Sequence, residues 1–306
     1  MIRVAADTAP DARRRGGPAD REGLLTWVFL LPSVVYLTAL VVLPLALAVA
    51  LALSGVTATA PAYRFTGAGE FASALGEGAF WRALGDTLLF TAVSTVLVVL
   101  CGQVLAHVLL ARFRGRWLVR PLVLLPWTTP AALSATSWRW LLDSADSPAG
   151  WLTRALGVPD GAWHTRPAVA MGAVVAVHVW RLTPLAAVVM AAGLTAIPRD
   201  VRDAARVDGA GAARRALEVT LPLALPSIAV AALVTAVLTC ADVTVVAVLT
   251  HGGPGGATQT LATLAYTRGA EGGALGQGAA IAVLLLPLPL AGATGLFRVV
   301  RRRAER

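Results

Sequence analysis

The stretch LLFTAVSTVLVVLCGQVLAHVLL, residues 88–110, runs for 23 residues without an acid or an arginine. A helix rises 1.5 Å per residue, so a run of this length crosses a hydrocarbon layer about 30 Å thick. Working outward, five further stretches meet the same requirement: 25–53, 117–142, 167–194, 222–250 and 274–297. The first carries Pro32 and Pro44, and 117–142 carries Pro121, Pro126 and Pro130. Prolines at membrane depth are tolerated where neighbouring helices satisfy the freed backbone groups. The reading is an all-α membrane protein with six transmembrane helices.

Composition supports it. Hydrophobic residues make up 57% of the 306 residues, glycine adds 29, and charged residues reach only 14%. Soluble domains sit near ~45–50% apolar and ~25% charged. Disorder, collagen and a disulfide-stapled mini-protein are excluded, and a water-soluble enzyme core is argued against. All 26 basic residues are arginine. A phosphate-cradling Walker A loop needs a lysine, so the chain is no P-loop ATPase by itself. Cys101 and Cys240 both lie in apolar runs, where no structural disulfide is expected.

The arginines also orient the chain. Nineteen of them fall in residues 1–24, in the 111–116 connection and its flank, in the 195–221 connection, and at the C-terminal end. Basic residues stay preferentially on the cytoplasmic side. An even number of spans with both termini cytoplasmic in the cell membrane satisfies the pattern, and the net charge of +9 requires no nucleic acid. The apolar part of the first span is too long for a signal-peptide core of ~7–15 residues, so it reads as retained. The expected organisation is a disordered cytoplasmic tail over 1–24, a membrane domain over 25–300, and a cytoplasmic tail over 301–306.

The 195–221 connection is long and locally helical. Pro198 suits a first helical position, and Asp200 and Asp203 complement the positive end of the helix dipole. Gly209 suits the stop, where a left-handed residue is commonly needed. Val201, Ala204, Ala205 and Asp208 follow i, i+3, i+4, i+7 spacing and share one face. A short helix with alanines on that face has little core of its own. It docks either onto a partner or onto headgroups and its own bundle.

Residues 193–228, GLTAIPRDVRDAARVDGAGAARRALEVTLPLALPSI, resemble the signature loop of the inner-membrane permeases of binding-protein-dependent ABC importers. Asp203-Ala204-Ala205, Asp208-Gly209-Ala210 and Leu221-Pro222 hold the places of its acidic-Ala-Ala, Asp-Gly-Ala and Leu-Pro elements. Further features, in the same order over about 270 residues, resemble the carbohydrate branch, the maltose and glycerol-phosphate type. They are Leu125-Pro126-Trp127, Trp138-Arg139-Trp140, Trp180-Arg181 followed by Pro184, LTHGGP over 249–254, and TQTL over 258–261.

The resemblance implies the type I ABC importer permease fold. It also implies a subunit paired with a second, homologous permease, an ABC ATPase dimer that uses the ATP, and an extracytoplasmic solute-binding protein. In that scheme the loop forms coupling helices seated in the ATPase, and ATPase closure tilts the bundles in alternating access. Asp203, Ala204, Ala205, Asp208, Gly209 and Ala210 become the docking surface, and Leu221, Pro222 and Pro226 close the loop and start span five. The chain itself is expected to bind no cofactor or metal and to catalyse no reaction. Two departures bear on docking: Asp203 stands where Glu is usual, and Ala213 and Ala216 stand where sugar permeases often place aromatics.

Ionisable residues at membrane depth are costly and usually face the bundle interior or a pathway. Asp242 in span five is such a residue, with Arg181 in span four its candidate counter-charge. The two either line the substrate pathway or join helices as a structural pair. Sugars are held by stacking on aromatic faces plus hydrogen bonds, which adds Trp127 and Trp180 to the pathway set. Trp138 and Trp140 read as an interfacial belt. His107, His164, His178 and His251 share no metal-ligand spacing, and no nucleophile stands beside a base. A self-contained secondary transporter is the alternative reading, but it leaves the helical connection unexplained.

Overall fold

The computed structural model describes residues 18–111, 113–143, 147–155, 157 and 162–304. The chain divides into two compact units, 1–48 and 49–306. The first is described from its helix onward. Helix α1 (Pro18–Ala52) runs through Pro32 and Pro44 without interruption. The tail expected to be disordered over 1–24 is already helical from Pro18, a residue whose fixed φ suits the start of a helix. The remainder of that tail, with Arg112 and the last two residues, lies outside the described residues.

In the second unit, α2 (Gly69–Gly76) stops at Glu77, which opens into extended backbone, and α3 (Gly78–Leu110) begins at once. Span two therefore starts ten residues before the 88 expected, because Arg82 and Asp86 end an apolar run without ending a helix. The stretch 117–142 is not one helix. It divides into α4 (Arg116–Thr128) and α5 (Ala131–Asp143). Pro130 can donate no hydrogen bond and pushes Thr129 to φ −76°, ψ 136°, so the helix breaks there. Neither half is long enough to cross a bilayer alone, and among the described residues five helical stretches are long and apolar enough to do so.

After α6 (Pro148–Ala155) comes α7 (Pro167–Ala196), which holds Pro184 without breaking. The connection that follows contains α8 (Arg199–Val207) and α9 (Ala212–Arg215), and a π turn over Ala216–Thr220 leads into α10 (Leu221–Cys240). Expected span five (222–250) is interrupted at 241–243, and α11 (Thr244–Leu249) resumes it. A threonine-rich loop leads to α12 (Leu261–Tyr266) and a second π turn, Thr267–Glu271. The sixth span is α13 (Leu275–Leu285) followed after Leu286 by α14 (Pro287–Ala304), so helix continues into the expected tail at 301.

The core of this unit is the bundle of α3, α7 and α10. Val98, Ala106, Leu182, Ala186, Met190, Leu194 and Ala224 form one buried cluster. Phe90, Trp163, Val174, Val177, Val245, Val246 and Leu249 form a second, nearer α11. With lipid outside as apolar as leucine, helices associate by close backbone approach, which small residues permit. A Cβ on Gly102 would stand 3.0 Å from that of Ala186. At Gly193 it would stand 2.1 Å from Ser227 Oγ, where α7 crosses the start of α10. Overpacking of this kind costs about 1–3 kcal/mol. Gly193→Ala is thus expected to lower the unfolding temperature in detergent and Ser227→Gly to restore it. Gly85→Ala, which meets nothing within 4 Å, should leave it unchanged.

Candidate functional site

Two places carry the residues singled out in the sequence. The first is the α8–α9 connection. Helix α8 ends as predicted at Gly209, whose φ is +73°. The Gly209 N–H donates to the Arg206 carbonyl and the Ala210 N–H to the Ala205 carbonyl, both at 3.1 Å. This paired pattern is the Schellman stop. Pro198 precedes the helix rather than opening it, one residue from the expected place. Asp203, Ala204, Asp208 and Gly209 are exposed, Ala205 and Ala210 half-buried, and Val207 is 88% exposed. Asp203 is held by Arg206 at 3.0 Å and Glu218 by Arg214 at 2.7 Å, i,i+3 and i,i+4 pairs that stiffen the connection. The short side chains at 204, 205, 209 and 210 leave the backbone open to close approach. Leu221, Pro222 and Pro226 lie in the first two turns of α10, all exposed.

The second place is where span five breaks. Asp242 sits in the 241–243 interruption with only 6% of its side chain exposed. Arg181, on α7, donates from Nη2 to Asp242 Oδ2 at 3.2 Å, and the Val245 N–H in the first turn of α11 donates to Oδ1 at 2.8 Å. Both carboxylate oxygens are thereby occupied. A buried charge is tolerated only when paired and hydrogen-bonded in this way. Trp127, on α4, lies beside the Arg181 guanidinium, with 6.0 Å from Cζ to the ring centroid. Trp180 turns instead toward Trp138, centroids 5.5 Å apart and edge to face. The structure therefore joins Trp127, Arg181 and Asp242 into one cluster and places Trp180 in an adjacent aromatic pair. Trp127 and Trp180 each keep over a third of their surface exposed.

Sequence reading missed one member of the cluster. His178, wholly buried, holds Nε2 2.9 Å from Thr239 Oγ1 and Nδ1 3.7 Å from Asp242 Oδ2. The Thr239 hydroxyl proton goes to the Thr235 carbonyl, so His178 Nε2–H is the donor in that contact. A signal was present. His178 precedes Arg181 by three residues and Thr239 precedes Asp242 by three, so two pairs of equal spacing face each other. The loop after α11 is stitched by hydroxyls. Thr250 bonds Thr258 at 2.8 Å, Thr258 donates to the Gly253 carbonyl, and Thr260 and Thr263 form a capping box. Nearby, Glu77 receives Arg268 and Gln277, each at 2.8 Å.

Arg181→Met alone is expected to cost about 3–5 kcal/mol, because it leaves a buried carboxylate without its cation. Combining it with Asp242→Asn should recover most of that loss, as read by thermal unfolding of the purified chain.

Comparison with known proteins places this geometry. The family model described as binding-protein-dependent transport system inner membrane component matches residues 98–305. The trehalose/maltose transport system permease protein MalF of Thermococcus litoralis is 32% identical over 285 residues, covering 93% of this chain and 96% of that protein. The sulfoquinovosyl glycerol transport system permease protein SmoG of Agrobacterium fabrum is 29% identical over 305 residues, 99% and 98% of the two chains. Among solved structures, a bacterial ABC transporter involved in import of the acidic polysaccharide alginate shares the fold. Its TM-score is 0.75 at 18% identity, covering 92% of this chain and 96% of that one. The chain belongs to the family of binding-protein-dependent transport system inner membrane components, multi-pass permeases of ABC importers.

Proposed function

We propose that this chain is one of two homologous permease subunits that together enclose the translocation pathway of an ABC importer for a sugar or related polyol. It works with an ABC ATPase dimer and an extracytoplasmic solute-binding protein, and both of its termini lie on the cytoplasmic side. The names of the relatives support the carbohydrate assignment, since one is a trehalose/maltose permease and another a sulfoquinovosyl glycerol permease. A self-contained secondary transporter is not favoured for a member of this family.

The observation that carries the mechanism is the exposed connection built on α8. Its Schellman stop fixes Asp208, Gly209 and Ala210 at a sharp corner, and Asp203, Ala204 and Ala205 lie one turn away. We assign this corner to the ATPase groove. Hydrolysis takes place in the partner, and this chain contributes a lever. The π turn and the first residues of α10, Leu221, Pro222 and Pro226, carry the displacement into span five. Alanines at 213 and 216 make the contact a shallow one, carried by backbone shape and by Asp203 and Asp208 more than by an aromatic anchor.

In the membrane, Asp242 serves as the anchor and Arg181 as the face offered to solute. Asp242 spends both oxygens inside the protein. The guanidinium of Arg181 retains further N–H groups beside the partly exposed ring of Trp127. An aromatic face next to a fixed donor suits a hydroxyl-rich ring, and Trp180 extends the aromatic lining.

Asp208→Lys and Gly209→Leu test the coupling assignment. The first reverses a charge on the docking surface. The second forces a branched residue into the left-handed region, at a cost of about 1–2 kcal/mol. Each is expected to abolish solute uptake and co-purification of the ATPase while the chain still inserts in the membrane. Normal uptake by either variant would refute the assignment.

A further inference from the structure

A cleft of about 380 Å³ lies where the end of α3 meets the π turn that precedes α10. His107 and Gln103 form its α3 wall, and Arg215 and Thr220 face them from the turn. Among the described residues no carboxylate lines it. Glu218, the acid of the turn, is taken up by Arg214. Arg215 uses Nη1 on the Ala210 carbonyl at 3.1 Å and keeps its other N–H groups. His107 donates Nδ1–H to the Gln103 carbonyl at 2.7 Å, which leaves Nε2 for a ligand. With Nδ1–H engaged, Nε2 is an acceptor for a hydroxyl of the ligand. Gln103 Oε1 is buried without a hydrogen-bond partner, so the wall also lacks a hydroxyl donor.

The surroundings distinguish between sources of such an anion. Leu217 and Leu221 line the same cleft and are 65% and 37% exposed. The cleft sits level with the end of one apolar span and the start of another, at the depth of headgroups. A free phosphate would leave the two leucines bare, whereas acyl chains would cover them. We infer that this cleft binds the headgroup of an anionic, hydroxyl-bearing phospholipid such as phosphatidylglycerol, with the phosphate on Arg215 and a headgroup hydroxyl donating to His107 Nε2. Bound there, the lipid bridges α3 and the start of α10 and braces the connection that the proposed function assigns to coupling. The site itself does not depend on that function.

Native mass spectrometry of the full-length chain, reconstituted with phosphatidylcholine and phosphatidylglycerol and then extracted, reads the lipid retained. His107→Leu and Arg215→Gln should each lower phosphatidylglycerol retention roughly fivefold, the effect of one hydrogen bond in the first case and of one basic side chain near an anionic surface in the second. Arg114→Gln, exposed and outside the cleft, should retain it as the unmodified chain does. His107→Leu leaves the Arg215–Ala210 bond in place and decides the matter alone if Arg215→Gln does not insert. Equal loss in Arg114→Gln would show diffuse charge attraction and overturn the site, as would full retention by His107→Leu. Displacement of the lipid by inorganic phosphate would assign the cleft to free phosphate and overturn the lipid. Retention is read without uptake, so this inference and the coupling assignment fail separately.

Discussion

A carboxylate inside hydrocarbon has no water to turn to, and the way Asp242 meets that requirement sets the arrangement around it. Its two oxygens must find donors within the protein, and they do so on different elements: the guanidinium of α7 and the opening amide of α11. Because each bond has a fixed reach, the pair sets both the depth of α7 against span five and the point at which that span breaks. A span without the acid could slide or rotate at little cost, since lipid and leucine are alike to it. The carboxylate removes that freedom. His178 then completes the polar layer with a bond to Thr239, so the contact between the two spans carries a short hydrogen-bonded seam within an otherwise apolar bundle.

The same requirement is met differently at the two ends of the unit. Around the loop after α11, four threonine hydroxyls and the Glu77 cluster satisfy backbone and side-chain groups, which makes the irregular 250–260 stretch a defined element. Around α8 the partners are local: a Schellman corner and ion pairs three or four residues apart. A segment organised by its own neighbours in sequence keeps its form without a core beneath it. That suits a part that presents a surface to another molecule.

Much of this was legible beforehand, for identifiable reasons. The 88–110 and 167–194 spans announce themselves because a long run without charge has few other folds open to it. Gly209 was readable because only a residue without a Cβ enters the left-handed region freely. The split at Thr129–Pro130 was half-visible: three prolines advertised trouble, but nothing local said which would break the helix and which, like Pro184 in α7, would be absorbed. The break at 241–243 leaves no mark on hydropathy: Asp242 accepts from the Val245 N–H at the start of α11 and pairs with a residue sixty-one positions away. His178 gave only a faint sign, the three-residue spacing from Arg181 that Thr239 repeats before Asp242, and that spacing gains meaning once the two spans are seen to face each other.

The π turn over 216–220 adds one residue to the winding between α9 and α10. Such an insertion offsets everything on its far side by one residue's azimuth, about 100° in an α-helix. The compass heading of the α8 corner is therefore stored in a single surplus residue. Deleting it would let the stretch relax into ordinary winding and swing the corner a quarter-turn or more around the bundle. A chain of nearly identical composition would then present its lever in the wrong direction.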